Sequence, residues 1–166
     1  MRSWWPPLRR RLALVRDVRR QGDALLCMQS LCVALTAPAL MRIPLPQLEA
    51  LFERTARTRS ADRPARDPEA VATMALSVLR AGWPLVRRGC LTRGLTLYYA
   101  LRRAGVDAGL EFGLGKVPTG DGFDGHCWLV LDGKPYLESR DPYSHYATMY
   151  AFGCKAAAPA RHAHYG

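Results

Sequence analysis

The spacing of apolar residues along the chain predicts helices first and strands afterwards. In five segments hydrophobic residues recur every three or four positions, the period of a helix with one buried face. These predicted helices cover residues 8–20, 24–38, 47–57, 67–80 and 90–104. Short apolar runs bounded by glycine follow, and they predict strands at 108–114, 126–131 and 136–139. Five helices followed by three strands indicate an α+β fold.

Local signals mark three element boundaries. Asp67-Pro68-Glu69 places an N-cap aspartate, a first-turn proline and a first-turn acid at the start of one helix. Gly105 follows the helix that begins at Cys90 and is typical of a C-terminal cap. Asp132-Gly133 lies between two apolar runs and predicts a hairpin turn.

Three regions are expected along the chain. Residues 1–66 form a basic helical N-terminal region, and 67–155 form the core domain. Residues 156–166 are small and polar, which indicates a flexible tail. The polar, charged stretch 58–66 is the best linker candidate.

An uncharged run of 18 residues, 24–41, reaches the minimum length of a membrane-spanning helix. Gln29, Ser30, Thr36 and Pro38 dilute its apolar character, so a buried or partner-facing helix is the expectation. The arginines before it keep a weak association with an anionic membrane surface as the alternative. No signal peptide is expected, because no apolar segment directly follows the first residues.

Composition and charge narrow the classes of function. The 166 residues are 49% hydrophobic, which is typical of one compact domain. Of the net charge of +10, residues 1–66 contribute 13 basic against 5 acidic side chains, whereas 67–166 contribute 11 against 9. Aromatic residues do not alternate with the N-terminal arginines, so an acidic partner, a peptide or a membrane surface is favoured over nucleic acid.

Cysteine and histidine usage points to a reducing compartment, the cytoplasm. The five cysteines include no C-x-x-C pair, which disfavours a disulfide scaffold or a zinc ribbon. His145, His162 and His164 with Cys154 fit no common metal-ligand spacing, so neither a metal nor a cofactor is expected.

Cys90 and His126 are the candidate catalytic residues. Cys90 is the first residue of a predicted helix, where the partial positive charge of the helix end favours the nucleophilic thiolate. Arg87 and Arg88 add positive potential there. His126 opens an apolar strand and can act as the base.

A catalytic histidine also needs an acceptor that orients its ring. If the hairpin has a three-residue loop at 131–133, Glu138 faces His126 directly. A two-residue turn at Asp132-Gly133 shifts the register by one and points Glu138 to the other side. Asp141 is then the alternative acceptor. Asp132 is a turn residue, since it lies roughly 20 Å along the strand from His126.

These residues resemble a known family. Its motifs are Gly-Cys-Leu-Thr-Arg at 89–93, Arg-Arg-Ala-Gly at 102–105, Gly-His-Cys-Trp at 125–128 and Asp-Gly at 132–133. Between about Val71 and Tyr143 the chain resembles the lasso-peptide leader peptidases of the transglutaminase-like (papain-like) cysteine superfamily. The resemblance implies a cysteine-bearing helix packed on a small antiparallel sheet.

The same resemblance implies roles and partners. Cys90 is the nucleophile, His126 the base, and Glu138 stands where the family has Asp. Members remove the leader from a ribosomally made precursor peptide, together with a small leader-recognition protein and an ATP-dependent lasso cyclase.

Two alternatives remain open. Cys127 replaces the usual alanine between His126 and Trp128, and Glu138 replaces Asp. The departure at Glu138 keeps open a catalytically degenerate binding or scaffold protein. Acyl transfer is the third reading, because an amine can take a thioester in place of water.

Overall fold

A computed structural model describes residues 24–60, 65–82, 84–87, 89–116 and 122–153. The helix predicted over 8–20 and the predicted tail 156–166 lie outside the described residues. The chain divides into two compact units, a helical unit up to Val106 and a sheet unit from Asp107 onward. The domain boundaries predicted at residues 66 and 155 stay predictions.

The helical unit is built around the helix that begins with Cys90. Its helices are α1 (Ala24–Leu40), α2 (Leu45–Ser60), α3 (Pro68–Ala81) and α4 (Cys90–Arg103). α4 contacts each of the other three, and α1 also contacts α3. Nine of the 14 residues of α4 are buried. Burying a large apolar side chain stabilises the fold by about 1.5–3 kcal/mol, so α4 is the main contributor to this core.

The uncharged run forms α1, which has one buried and one exposed apolar face. Leu26, Val33 and Ala37 are buried, and the Ser30 hydroxyl donates to the Leu26 carbonyl at 2.7 Å. Leu25, Met28 and Leu35 are exposed. Within the described residues, no helix combines the length and apolar character needed to span a bilayer.

A charged cluster ties the C-terminal end of α4 to α2. Arg102 bonds Glu53 through two nitrogens, Nε to Oε1 at 3.0 Å and Nη2 to Oε2 at 2.7 Å. The Tyr98 hydroxyl donates to Glu53 Oε1 at 2.8 Å. Burial, together with the Glu53 carboxylate, raises the pKa of Tyr98 well above its usual value. Because such forked pairs fix geometry, the cluster holds the helix that carries Cys90 in one orientation against α2.

The predicted start of α3 is confirmed. The Asp67 carboxylate accepts hydrogen bonds from the N–H groups of Glu69 and Ala70, both at 3.2 Å. α2 extends to Ser60, so the first residues of the predicted linker are helical. This extension is a correction, because the polar and charged residues at the end of α2 continue the helix and do not end it.

The sheet unit contains four antiparallel strands in the order β3-β2-β1-β4. They are β1 (Ala108–Lys116), β2 (Phe123–Leu131), β3 (Lys134–Tyr136) and β4 (Ala147–Phe152). A 3₁₀ turn at Pro142–Ser144 precedes β4. Helices together with this sheet confirm the predicted α+β fold.

The predicted third strand, 136–139, is wrong. β3 occupies Lys134–Tyr136 instead, because the hairpin has a two-residue turn in which Leu131 pairs with Lys134. Asp132 and Gly133 both have positive φ, 50° and 74°, as a type I′ turn requires. Leu137, with φ of 61°, then ends the strand.

β4 was not predicted at all. It lies at the edge of the sheet and is mostly exposed or half-buried, so its apolar pattern is weak. Its pairing with β1 shifts register between Phe112 and Gly113.

Candidate active site

The structure places Cys90 at the start of α4, as predicted. Gly89 is the N-cap residue and has no side chain with which to cap the helix. The Arg93 N–H donates the first helical bond to the Gly89 carbonyl at 3.1 Å. Cys90 is partly exposed, at the end of a helix whose partial positive charge favours a thiolate. Its role as nucleophile stays a prediction.

A cavity of about 310 Å³ opens beside Cys90 within the helical unit. The described residues that line it are Leu76, Leu79, Arg80, Val86, Arg87, Gly89, Cys90, Thr92 and Arg93. Three of these residues are arginines and none is acidic. The cavity thus joins an apolar wall to a cationic rim, with the cysteine at its edge.

The turn between α3 and α4 shapes one wall of this cavity. Gly82 ends α3 as predicted, and its carbonyl accepts from the N–H groups of Leu85 and Val86 at 2.9 and 3.0 Å. A Cβ atom at Gly82 would lie 2.5 Å from Cγ2 of Val86. A side chain at Gly82 would therefore displace Val86, which lines the cavity, from its packing against the turn.

In the sheet unit, the structure brings His126 and Glu138 together. His126 lies in β2, opposite Gly113 of β1. Its Nε2 atom is 3.3 Å from Oε2 of Glu138, and both side chains are partly buried. The contact expected from the sequence is present, whereas its catalytic role stays a prediction.

Glu138 reaches His126 by a route that neither of the two registers considered from the sequence includes. With a two-residue turn, a continued β3 would place Glu138 opposite Cys127 and on the other face of the sheet. The positive φ of Leu137 interrupts the strand before Glu138, and the carboxylate returns to the His126 side. The alternative acceptor, Asp141, instead accepts from the Tyr143 N–H at 3.1 Å and caps the 3₁₀ turn.

Two aromatic rings contact His126, and the one from Tyr146 was not predicted from the sequence. The Tyr146 ring centroid lies 5.1 Å from that of His126, and the Trp128 ring is stacked with the imidazole at a centroid distance of 6.1 Å. Tyr146 also donates to the Asp124 carboxylate at 3.0 Å. These contacts restrict the rotation of the imidazole.

Two glycines of β1 make room for these rings. A Cβ atom at Gly113 would lie 2.7 Å from the Trp128 ring, and one at Gly115 would lie 3.0 Å from the Tyr146 ring. Both glycines are on the same face of the sheet as His126, because Gly113 pairs with His126 and Gly115 with Asp124. Alternating glycines in a strand were the sequence signal for this face.

Glu111 is a buried carboxylate on that face and was also missed. It is 8% exposed and pairs with Trp128 across the sheet. Tyr143 donates to it at 3.2 Å and Thr148 at 2.8 Å. An acidic residue within an apolar strand was the signal that could have identified it, and its bonds join the 3₁₀ turn and β4 to β1.

The His126–Glu138 contact determines which nitrogen of the imidazole can accept a proton. A carboxylate at Nε2 favours the tautomer that carries its proton there, and this leaves Nδ1 to accept a proton. A ring held in this way can act as a general base and then as a general acid. Among the described residues, no group of His, Cys, Asp or Glu side chains is arranged to hold a metal ion.

An α+β protein with a cysteine at a helix start and a histidine bonded to a carboxylate has the residue types of papain-like cysteine chemistry. A family model described as the transglutaminase-like superfamily matches residues 31–151, which is most of the chain. The chain therefore belongs to the transglutaminase-like superfamily. Neither a curated protein nor a solved structure shows significant similarity to it.

Membership of this superfamily is consistent with one general class of chemistry. The superfamily includes cysteine proteases and acyltransferases, so it fits a papain-like cysteine peptidase in general. The matched residues include Cys90, His126 and Glu138.

Proposed function

We propose that the protein is a cysteine peptidase that removes the leader from a ribosomally made precursor peptide during lasso peptide biosynthesis. The observation that carries the proposal is the 3.3 Å contact between His126 Nε2 and Glu138 Oε2. The position of Cys90 at the start of α4 supports it, as does the resemblance of the surrounding motifs to lasso-peptide leader peptidases.

The first half of the proposed reaction forms a thioester. The Cys90 thiolate attacks the carbonyl carbon of the cleaved peptide bond, and backbone N–H groups at the start of α4 stabilise the oxyanion. Nδ1 of His126, which has taken the proton of the Cys90 thiol, then gives that proton to the leaving nitrogen, and the C–N bond breaks. The acyl group stays on the sulfur as a thioester.

The second half releases that acyl group. His126 takes a proton from water at Nδ1 while the water oxygen attacks the thioester carbon. The C–S bond breaks, and the thiolate is restored. Glu138 orients the imidazole and stabilises its charged form in both halves. The proposal requires the His126 ring to reach the Cys90 sulfur in the working enzyme.

The proposed partners follow from the resemblance. A small leader-recognition protein presents the precursor peptide, and an ATP-dependent lasso cyclase receives the core peptide. A cytoplasmic location suits this pathway. The strongly basic N-terminal segment supports an acidic partner or peptide, and weak contact with a membrane surface is the alternative.

The test is leader removal by the purified protein. Precursor peptide, recognition protein and the full chain are mixed, and the products are identified by mass spectrometry. Cys90→Ala should abolish cleavage, whereas Cys32→Ala, at an exposed position of α1, should leave it intact. Unchanged cleavage by Cys90→Ala would contradict the nucleophile assignment.

Acyl transfer is the second candidate, because the superfamily includes acyltransferases. The two reactions share the thioester and differ in what releases it. Adding a primary amine to the cleavage reaction separates them, since a transferase gives a product heavier by the amine in place of the free acid. A binding or scaffold protein would show neither product.

A further inference from the structure

We infer that the cavity beside Cys90 is a specificity pocket for an acidic side chain of the peptide substrate, flanked by an apolar neighbour. The inference rests on the proposed function, because it assigns the substrate class of the same site. It concerns Arg80 and Arg87 above all, together with the apolar wall between them.

The size and shape of the cavity suit a short stretch of peptide. Its volume of about 310 Å³ lies at the lower end of the range for ligand pockets. Leu76, Leu79 and Val86 supply an apolar wall. Such a wall can bury the aliphatic part of a side chain while its charged end stays at the rim.

Charge selects the occupant. Arg80 and Arg87 are exposed, and neither forms an ion pair within the described part of the chain. Arg93 adds a third guanidinium, and none of the described lining residues is acidic. Guanidinium groups bind carboxylates with two parallel hydrogen bonds, so an acidic peptide side chain complements this rim.

A buried polar side chain adds a second attachment point. Thr92 lines the cavity and is only 6% exposed. Its hydroxyl can both donate and accept a hydrogen bond. A polar atom of the bound peptide that reaches this wall would therefore find a hydrogen-bonding partner in Thr92.

The position of the cavity fixes where the acidic residue lies in the substrate. Cys90 itself forms part of the lining. A side chain held there belongs to a residue within one or two positions of the bond that Cys90 attacks, because consecutive Cα atoms are about 3.8 Å apart. The pocket therefore selects a cleavage site with an acidic neighbour.

Cleavage of paired substrates tests the pocket. Precursor peptides that differ only in Glu or Gln within two positions of the cleaved bond are compared by kcat/KM. The Glu form should be cut about ten- to hundred-fold faster, as expected for hydrogen bonds to a charged group. Equal rates for every Glu and Gln pair would overturn the pocket while leaving the proposed peptidase intact.

Variants of the rim provide the matching test. Arg87→Gln and Arg80→Gln should each lower the preference for Glu, and Arg87→Glu should reverse it in favour of a Lys peptide. Arg42→Gln changes an exposed arginine outside the cavity and should preserve the preference. A preference unchanged in all the rim variants would contradict the inference.

Binding separates this inference from the proposed function. Labelled peptides of apolar residues around a single Glu or Gln are titrated into the Cys90→Ala protein and followed by fluorescence anisotropy. Tighter binding of the Glu peptide supports the pocket even if no precursor is cleaved, and that combination would contradict the peptidase alone. Equal binding of the two peptides would contradict the pocket.

Discussion

The two units of the chain differ in charge as well as in fold. Residues 1–106 hold 19 basic and 7 acidic side chains, a net charge of +12, whereas 107–166 hold 5 and 7, a net charge of −2. The cysteine lies in the basic unit beside arginines, and the histidine lies in the acidic unit beside the Glu138 carboxylate. The two candidate catalytic residues therefore lie in surroundings of opposite charge.

The immediate surroundings of Cys90 and His126 follow the same difference in charge. A helix end and guanidinium groups favour an anion at Cys90, either its own thiolate or an acidic peptide. A carboxylate and aromatic rings contact the His126 imidazole and restrict its rotation. Variants of the residues around Cys90 or around His126 should show how much each set contributes to cleavage.

Loss of the imidazole is expected to have the largest effect. His126→Ala should lower single-turnover leader cleavage by about 10³-fold, because both the acid and the base are removed. His145→Ala changes an exposed histidine after the 3₁₀ turn and should stay within threefold of the original protein. Cleavage by His126→Ala at the rate of this control would exclude His126 as the base.

Loss of the carboxylate should have a smaller effect. Glu138→Gln keeps the length of the side chain and removes its charge, so kcat should fall about 10- to 100-fold with little change in KM. Glu138→Asp should also slow the reaction, because the shorter side chain lengthens a contact that is already 3.3 Å. A Glu138→Asp variant that is faster than the original protein would contradict the need for a side chain as long as Glu at this position.

The packing of the histidine face can be tested by stability. Gly113→Ala should destabilise the protein by about 1–3 kcal/mol in urea unfolding, because the new methyl group would overlap the Trp128 ring. Gly125→Ala is the matched control in the paired strand, where the nearest atom to a Cβ is 3.8 Å away. Equal stability of the two variants would contradict the close approach of Trp128.

The cluster behind α4 should give the smallest effect. Tyr98→Phe removes the hydrogen bond to Glu53 and should cost about 1–2 kcal/mol at pH 8. Because the folded state raises the pKa of Tyr98, the stability from this tyrosine is present below its usual pKa of about 10 and is lost above it.

The difference in free energy of unfolding between the original protein and Tyr98→Phe should therefore shrink between pH 9 and pH 11. Urea unfolding at both pH values measures it. A difference that grows with pH would reverse the sign of the expected linkage and contradict the raised pKa of Tyr98.

Local signals made the helical unit predictable. The cap formed by Asp67 and the helix start at Cys90 depend on residues close in the chain, and both are where the sequence predicts them. The cavity beside Cys90 was not predicted, because it requires α3 and the turn at Gly82 to pack near the start of α4.

The sheet unit was less predictable because its geometry depends on pairing between distant residues. β4 is held by its partner β1 rather than by a strong pattern of its own. The contact between His126 and Glu138 was expected from a three-residue loop, and the real turn has two residues. The contact exists because Leu137 compensates for the changed register, and no local signal marks a leucine for positive φ.

The backbone of Leu137 has a consequence for redesign of the carboxylate. A branched side chain at φ of 61° occupies a narrow range of backbone angles, so the direction of the next residue is set locally. The length of the acidic side chain and the backbone angles of this turn together set the distance from the carboxylate to His126. A shorter acid at position 138 would need different backbone angles at position 137 to reach His126. Leu137→Gly would widen the range of those angles and so loosen the position of the carboxylate.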